Sequence, residues 1–261
     1  MSLWHGVVVF VAAFTAGMMN SVAGGGMLVT FPALVWIGLD PIQANVTSTV
    51  SLWPGSLGAM YGFRRELGDS RRWMLLLGPV SVVGGLIGAF LLLRTPSRLF
   101  AALVPYLILF ATILFAAQEP ITRRMQRYKV ASGKAETPAT THTRWWVGAA
   151  MFQFGVAVYG GYFGAGIGIL MLATLGLLGL TDIHQMNGLK NFFAVCINLV
   201  AGSYFAVRGS VDWTHAAVMI VGAIAGGYGG AGLARKLGRR FVRRAVIFIG
   251  IVMALSLLLR R

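Results

Sequence analysis

The chain has 261 residues, 57 % apolar and 11 % charged, with a formal net charge of +15. A soluble domain carries about 25 % charged residues, so this composition excludes a soluble globular protein and a disordered chain. Cys196 is the sole cysteine, which also excludes a disulfide scaffold and a thiolate metal centre.

What remains is an all-α polytopic membrane protein in a lipid bilayer. The basic residues sit in short clusters between long apolar runs, as orienting charges do. That placement gives no reason to expect a nucleic-acid partner. Met1 to Gly6 contains no Lys or Arg, so the first apolar run reads as mature helix rather than a cleaved signal.

In chain order, polar breaks fall at 40–45, 64–72, 94–98, 118–144, 181–185, 208–212 and 235–244. Most runs between them have the length of one span, about 20 residues. Two do not. Trp4 to Leu39 and Trp145 to Leu180 are each 36 residues long. A straight helix of that length reaches about 54 Å, against a hydrocarbon core of about 30 Å. Both carry a glycine cluster: Gly24, Gly25 and Gly26 in the first, Gly164, Gly166 and Gly168 in the second. Each glycine disfavours helix by about 1 kcal/mol relative to alanine. Each stretch is therefore expected to break and return, as two short spans or as a re-entrant hairpin.

The two stretches are related. An ungapped shift of 142 positions pairs Trp4 with Trp146, Gly26 with Gly168, Asp40 with Asp182, Asn45 with Asn187, and Gly84 and Gly88 with Gly226 and Gly230. The chain reads as a first transmembrane repeat (1–117), a polar basic linker (118–144) and a second repeat (145–261). Each repeat holds a glycine-broken there-and-back element plus three spanning helices. With both long stretches returning to their starting side, the Lys and Arg of the loops divide 16 against 5; a single crossing of each would divide them 13 against 8. The positive-inside rule favours the first arrangement. It puts the linker in the cytoplasm and both termini outside, and it makes the repeats inverted in topology. Pro120, Pro138 and the polar residues around them favour poor order in the linker.

At these landmarks the sequence resembles the sulfite exporter TauE/SafE family of membrane transporters, also called the toluene-sulfonate uptake permeases. The first-repeat signature is Asn20-Ser-Val-Ala-Gly-Gly-Gly26, Pro32, Gly38 and Ala44-Asn-Val-Thr-Ser-Thr49. The second is Tyr159-Gly-Gly-Tyr-Phe-Gly-Ala-Gly-Ile-Gly168, Met186-Asn-Gly-Leu-Lys-Asn191 and Gly209-Ser-Val-Asp-Trp213. The resemblance implies a secondary transporter of sulfite, sulfonates or related small anions in the cytoplasmic (inner) membrane.

An oxyanion at membrane depth needs donors in place of water. Broken helices supply unpaired amides at the positive end of the helix dipole. The segments starting near Gly26 and Gly168 would present such ends. Lys190 is the one Lys or Arg placed within a span, and an intramembrane charge points to function by default. Snorkelling toward the 181–185 loop is the alternative. Asn187 and Asn191 surround it, Asn45, Ser48 and Thr49 sit at the repeat-equivalent place, and Asn20 and Tyr162 precede the two breaks. All could donate or accept hydrogen bonds to an anion or to a neighbouring helix.

The seven acidic residues fall in loops or at span ends, and the four histidines are scattered. No carboxylate pair, proton relay or metal-ligand spacing results. No enzyme activity and no cofactor are expected. Two functions fit: a carrier working by alternating access, or a channel-type facilitator or non-transporting scaffold. The anion, the direction of transport, the coupling ion and the oligomeric state are not encoded in these patterns.

Overall fold

A computed structural model describes residues 2–259, apart from 23, 24, 63–66, 69, 133–142, 179, 181, 210 and 238. Among the described residues the chain forms ten α-helices. The first half holds α1 (Leu3–Val22), α2 (Met27–Trp36), α3 (Pro41–Gly62), α4 (Arg71–Arg94) and α5 (Ser97–Ser132). The second holds α6 (Thr143–Tyr162), α7 (Ile167–Leu177), α8 (Ile183–Arg208), α9 (Trp213–Leu237) and α10 (Arg239–Leu259). Four segments are long and apolar enough to cross a bilayer: Leu3–Asn20, Arg71–Arg94, Ser97–Ala117 and His184–Arg208. Large apolar side chains such as Leu75, Phe90, Ile113, Met151 and Phe248 are exposed, as a lipid-facing surface requires. The protein is an all-α polytopic membrane protein.

Both long apolar stretches are broken where the glycines fall, but their arms are unequal. Helix α1 has 20 residues and α2 only 10; α6 has 20 and α7 has 11. At 1.5 Å per residue the long arm reaches about 30 Å and the short arm about 15 Å. Where two short spans or a re-entrant hairpin were both open, each stretch takes the form of one span-length arm followed by one half-length arm. The cause is that the glycines lie past the midpoint of each stretch. After the first break, Gly26 already rests against Ala16 and Asn20 of α1, so the chain has doubled back.

The ten helices fall into two series of five. Helices α3, α4 and α5 start at residues 41, 71 and 97; α8, α9 and α10 start at 183, 213 and 239, each 142 further on. At the breaks the spacing is 141. The Leu28 amide bonds the Gly25 carbonyl at 2.9 Å, and the Ile169 amide bonds that of Gly166 at 3.1 Å. An ungapped shift therefore pairs Gly26 with Gly168 one residue out of step. Past Ala117, α5 continues as helix to Ser132, into the segment where poor order was expected. Helix propagation adds one hydrogen bond per residue fixed, and Gln, Glu, Arg and Met here are good helix formers.

The series interlock. Helix α1 packs along α9, and its equivalent α6 packs along α4; α3 packs on both α8 and α9. Without a hydrophobic force between helices in lipid, such seams rely on close backbone approach. A Cβ on Gly226 would fall on the Phe14 backbone, one on Gly88 on the Val158 carbonyl, and one on Gly161 on the Gly85 carbonyl. Across the α4–α6 seam Gln153, fully buried, donates to the Ser81 hydroxyl at 2.9 Å.

A polar latch joins α3 to the loop between α8 and α9. The Asp212 amide donates to Thr47 Oγ1 at 3.1 Å. The Asp212 carboxylate takes the His215 amide at 3.1 Å and lies 2.8 Å from His215 Nδ1. Partial burial alone would push this carboxyl up, but the hydrogen bonds and charge of His215 outweigh it and hold it below the usual range.

Gly226→Val should abolish monodisperse folded protein, whereas Gly227→Val, with open space at its Cβ, should change stability by less than about 0.5 kcal/mol. Size-exclusion profiles and melting curves in detergent decide this. The Asp212 contribution should be complete above the unfolded-state pKa of about 3.9 and fade as pH falls through its lower folded value. Wild type should therefore lose its stability advantage over Asp212→Asn in acid, measured by melting temperature against pH.

Candidate functional site

The two breaks meet. Between them lies a cavity of about 100 Å³, lined by Asn20, Gly25 and Gly26 on one side and Gly164, Gly166 and Gly168 on the other. Lys190, Asn191, Ala194 and Asn198 form its α8 wall, and Thr49 and Leu52 its α3 wall. Those α8 residues recur at helical spacing, so one face of α8 is turned inward. Met27 and Ile167, the first residues of the two short arms, complete the lining.

Gly25 and Gly166 adopt φ values of +86° and +77°. This left-handed conformation disfavours a Cβ, and it turns the chain so that each short arm starts at the cavity. Helix α7 begins after Gly166, and no described residue accepts a hydrogen bond from the amides of Ile167 and Gly168. These are the free donors of a helix N-terminus. The first arm is capped differently, because Asn20 Oδ1 accepts the Gly26 amide at 2.9 Å. Asn20 thus holds the break and faces the cavity as well.

Lys190 is only 8 % exposed. Its stem lies over Gly168, where a Cβ would sit 3.2 Å from Lys190 Cδ, and its ammonium donates to Asn187 Oδ1 at 3.2 Å. Lys190 therefore lines the cavity with its stem packed on the second break and its ammonium paired one turn back along α8. Among the described lining residues it is the only charged one. Asn187 serves as its hydrogen-bond partner without lining the cavity. Thr49 does line it, but its hydroxyl donates to the Asn45 carbonyl at 2.9 Å, which leaves Thr49 Oγ1 able only to accept.

Three other expected residues stand apart from it. Asn45 is buried behind Thr49, and its amide nitrogen donates to the Tyr162 carbonyl at 2.9 Å. Ser48 is fully buried and off the lining. The Tyr162 hydroxyl lies 3.3 Å from Thr95 Oγ1, and its ring packs edge-on to Phe100. The two long arms start and end 140 residues apart, so Gly160 rather than Tyr162 is the counterpart of Asn20. Gly24 lies outside the described residues. Sequence reasoning missed Asn198; its position two turns beyond Asn191, on the face carrying Lys190 and Ala194, was the available signal. It also missed Tyr159, whose hydroxyl donates to the Ala165 carbonyl at 2.8 Å and ties down the second break.

Comparison with known proteins agrees with this architecture. The chain is similar to a probable membrane transporter protein, ORF9, of Sinorhizobium sp., at 27 % identity over 95 % of this chain and 90 % of that one. It is 26 % identical to a probable membrane transporter protein of Haemophilus influenzae, over 94 % and 91 % of the two chains. It is 25 % identical to the probable membrane transporter protein YfcA of Escherichia coli K12, over 96 % and 88 %. No solved structure matches.

Tyr159→Phe should lower the stability of the detergent-purified protein by about 1–3 kcal/mol, the cost of a buried carbonyl left without its donor. Thermal melting checks this.

The model of the family described as sulfite exporter TauE/SafE matches residues 9–257, and the chain belongs to that family.

Proposed function

We propose that this membrane transporter is a secondary carrier of small sulfur-containing anions, such as sulfite or a sulfonate, across the cytoplasmic membrane. The anion would bind at the broken-helix ends and be exposed to each side in turn. The observation that carries this reading is the cavity between the two breaks, lined by a buried Lys190 and by Ile167 and Gly168, whose amides at the start of α7 are free. A cation, amide donors and a helix N-terminus are the groups that replace water around an oxyanion. The Asn191 and Asn198 side chains add neutral donors.

The size of the cavity supports a small substrate. A water needs roughly 10–15 Å³ measured the same way, so about 100 Å³ holds one compact anion with few waters. The apolar wall of Met27, Leu52, Ile167 and Ala194 offers a short hydrocarbon group a place beside the charged end.

On this reading the repeats are inserted in opposite senses, with the linker cytoplasmic and both termini outside. The packing of α3 on α8 supports the inversion. Val46 and Thr47, near the start of α3, meet Gly209 and Asp212, just past the end of α8. Equivalent helices that run antiparallel are related by an axis in the membrane plane. The charge asymmetry of the loops supports the same orientation.

Radiolabelled sulfite counterflow in proteoliposomes tests the reading. Wild type should show saturable, trans-stimulated uptake. Lys190→Ala should raise the half-saturation concentration at least about tenfold, as expected for losing a charged hydrogen bond of about 1.5–3 kcal/mol. High conductance without counterflow would instead mark a channel. Lack of flux for sulfite, thiosulfate and small sulfonates alike would sink the carrier.

A further inference from the structure

Beside the anion cavity, helix α3 buries two oxygen atoms that no described group satisfies. They are Asn45 Oδ1 and Ser48 Oγ. The residues are 1 % and 0 % exposed, and they lie three apart on one helix face. A buried polar atom left without a partner costs about 1–3 kcal/mol, so two adjacent ones call for an occupant.

Neither follows the ordinary habit of its type. Within the spans, Thr49, Ser51, Ser81 and Thr112 all return their hydroxyls to the carbonyl four residues back, at 2.6–2.9 Å. Ser48 does not. The Asn45 amide is oriented by its own nitrogen, which donates to the Tyr162 carbonyl at 2.9 Å. That bond fixes Oδ1 as a bare acceptor. It also places the site against the carboxyl end of α6, where the helix dipole is negative.

The repeat relation indicates what is missing. At the spacing of 142 that relates α3 to α8, Asn45 corresponds to Asn187 and Ser48 to Lys190. In the second series Asn187 Oδ1 accepts from the Lys190 ammonium at 3.2 Å. In the first series the same amide oxygen is present and the cation is not built in. The ligands are neutral oxygens, and no described group of three or more acids, histidines or cysteines gathers as a metal site. Such a setting suits a hard monovalent cation rather than a divalent ion, which takes carboxylates.

We propose that Asn45 Oδ1 and Ser48 Oγ, at the carboxyl end of α6, form part of a sodium site adjoining the anion cavity across Thr49. An anion facing Lys190 and a sodium ion behind Thr49 would stabilise each other's binding. This coupling rests on the carrier reading above; the ion site itself does not.

The first test uses purified wild type with no sulfur anion present, melted in sodium, potassium and choline chloride at equal ionic strength. Sodium should raise the melting temperature above both other salts. Ser48→Ala should need about tenfold more sodium for the same rise, the effect of losing roughly 1.4 kcal/mol of binding. If Ser48→Ala does not fold, Ser48→Cys decides, because a soft thiol in place of the hydroxyl oxygen keeps the side-chain size yet should need about tenfold more sodium for the same rise. Equal melting of wild type in sodium and choline overturns the site and leaves water as its occupant. An equal rise in potassium overturns the assignment to sodium, and so does a sodium effect untouched in both variants. In proteoliposomes, an inward sodium gradient should then drive sulfite accumulation. Sodium-dependent melting without sulfite flux would uphold the ion site and sink the anion reading alone.

Discussion

A backbone amide or carbonyl freed inside a bilayer has no water to turn to, and each one left unpaired costs several kcal/mol. Two helix breaks face each other within this protein, so the rest of the fold must either satisfy the freed groups or give them to a ligand. Much of the first task is visible. Asn20 takes the Gly26 amide, the Tyr159 hydroxyl takes the Ala165 carbonyl, and the Asn45 amide takes the Tyr162 carbonyl. Each donor or acceptor comes from a long helix that is itself packed against the opposite series. The amides of Ile167 and Gly168 are left over, and they open beside the buried lysine. Irregular backbone at this depth is tolerated where it lines a cavity, and here it does.

Holding the breaks in register demands that the long helices approach closely, and the glycine seams meet that demand. Lipid chains are as apolar as leucine, so burying leucine between helices gains little in a membrane. Contact between backbones gains dispersion and excludes the option of sliding. Gly226 against Phe14 and Gly88 against Val158 make two such seams, each joining the first helix of one series to the fourth of the other. The aromatic cluster of Phe31, Phe100, Tyr159, Tyr162 and Phe163, with ring centroids 5.3–6.5 Å apart, fills the space above the second break. Its T-shaped and tilted pairs are favourable geometries for aromatic rings.

The broad plan was legible in the sequence because the signals are strong in a membrane. A 36-residue apolar run cannot be one span, glycines mark where it breaks, and a lone lysine in a span has few places to go. The cavity accordingly gathers Asn20, Gly25, Gly26, Thr49, Gly164, Gly166, Gly168, Lys190 and Asn191. The sequence was silent where geometry depends on rotation about a helix axis. Ser48 and Thr49 are neighbours in the chain, yet only Thr49 faces the cavity. Tyr162 looked like the counterpart of Asn20 because an ungapped shift ignores the two extra residues between the first and third helices of the second series. Tyr159 opens the second signature, but nothing there marked its hydroxyl as a donor, since one more aromatic in an apolar helix is ordinarily core. The helical extension of α5 to Ser132 was hidden by Pro120, whose cost a long preceding helix can absorb.

The departures from symmetry carry as much information as the symmetry. Two series with one backbone plan differ at the positions nearest the cavity. Lysine stands opposite serine at 190 and 48, and asparagine stands opposite glycine at 20 and 160. A side-chain cap closes one break, while the other keeps its amides free. A duplicated scaffold serves alternating access because its two halves can exchange conformations about a fixed centre. A fixed centre with identical halves would offer a ligand the same groups twice. The unequal side chains give one end a built-in positive charge and leave neutral oxygens at the other, so under the proposed carrier function a bound anion would meet a directional field. Position on the scaffold follows from the repeat, and recognition follows from the few residues that break it.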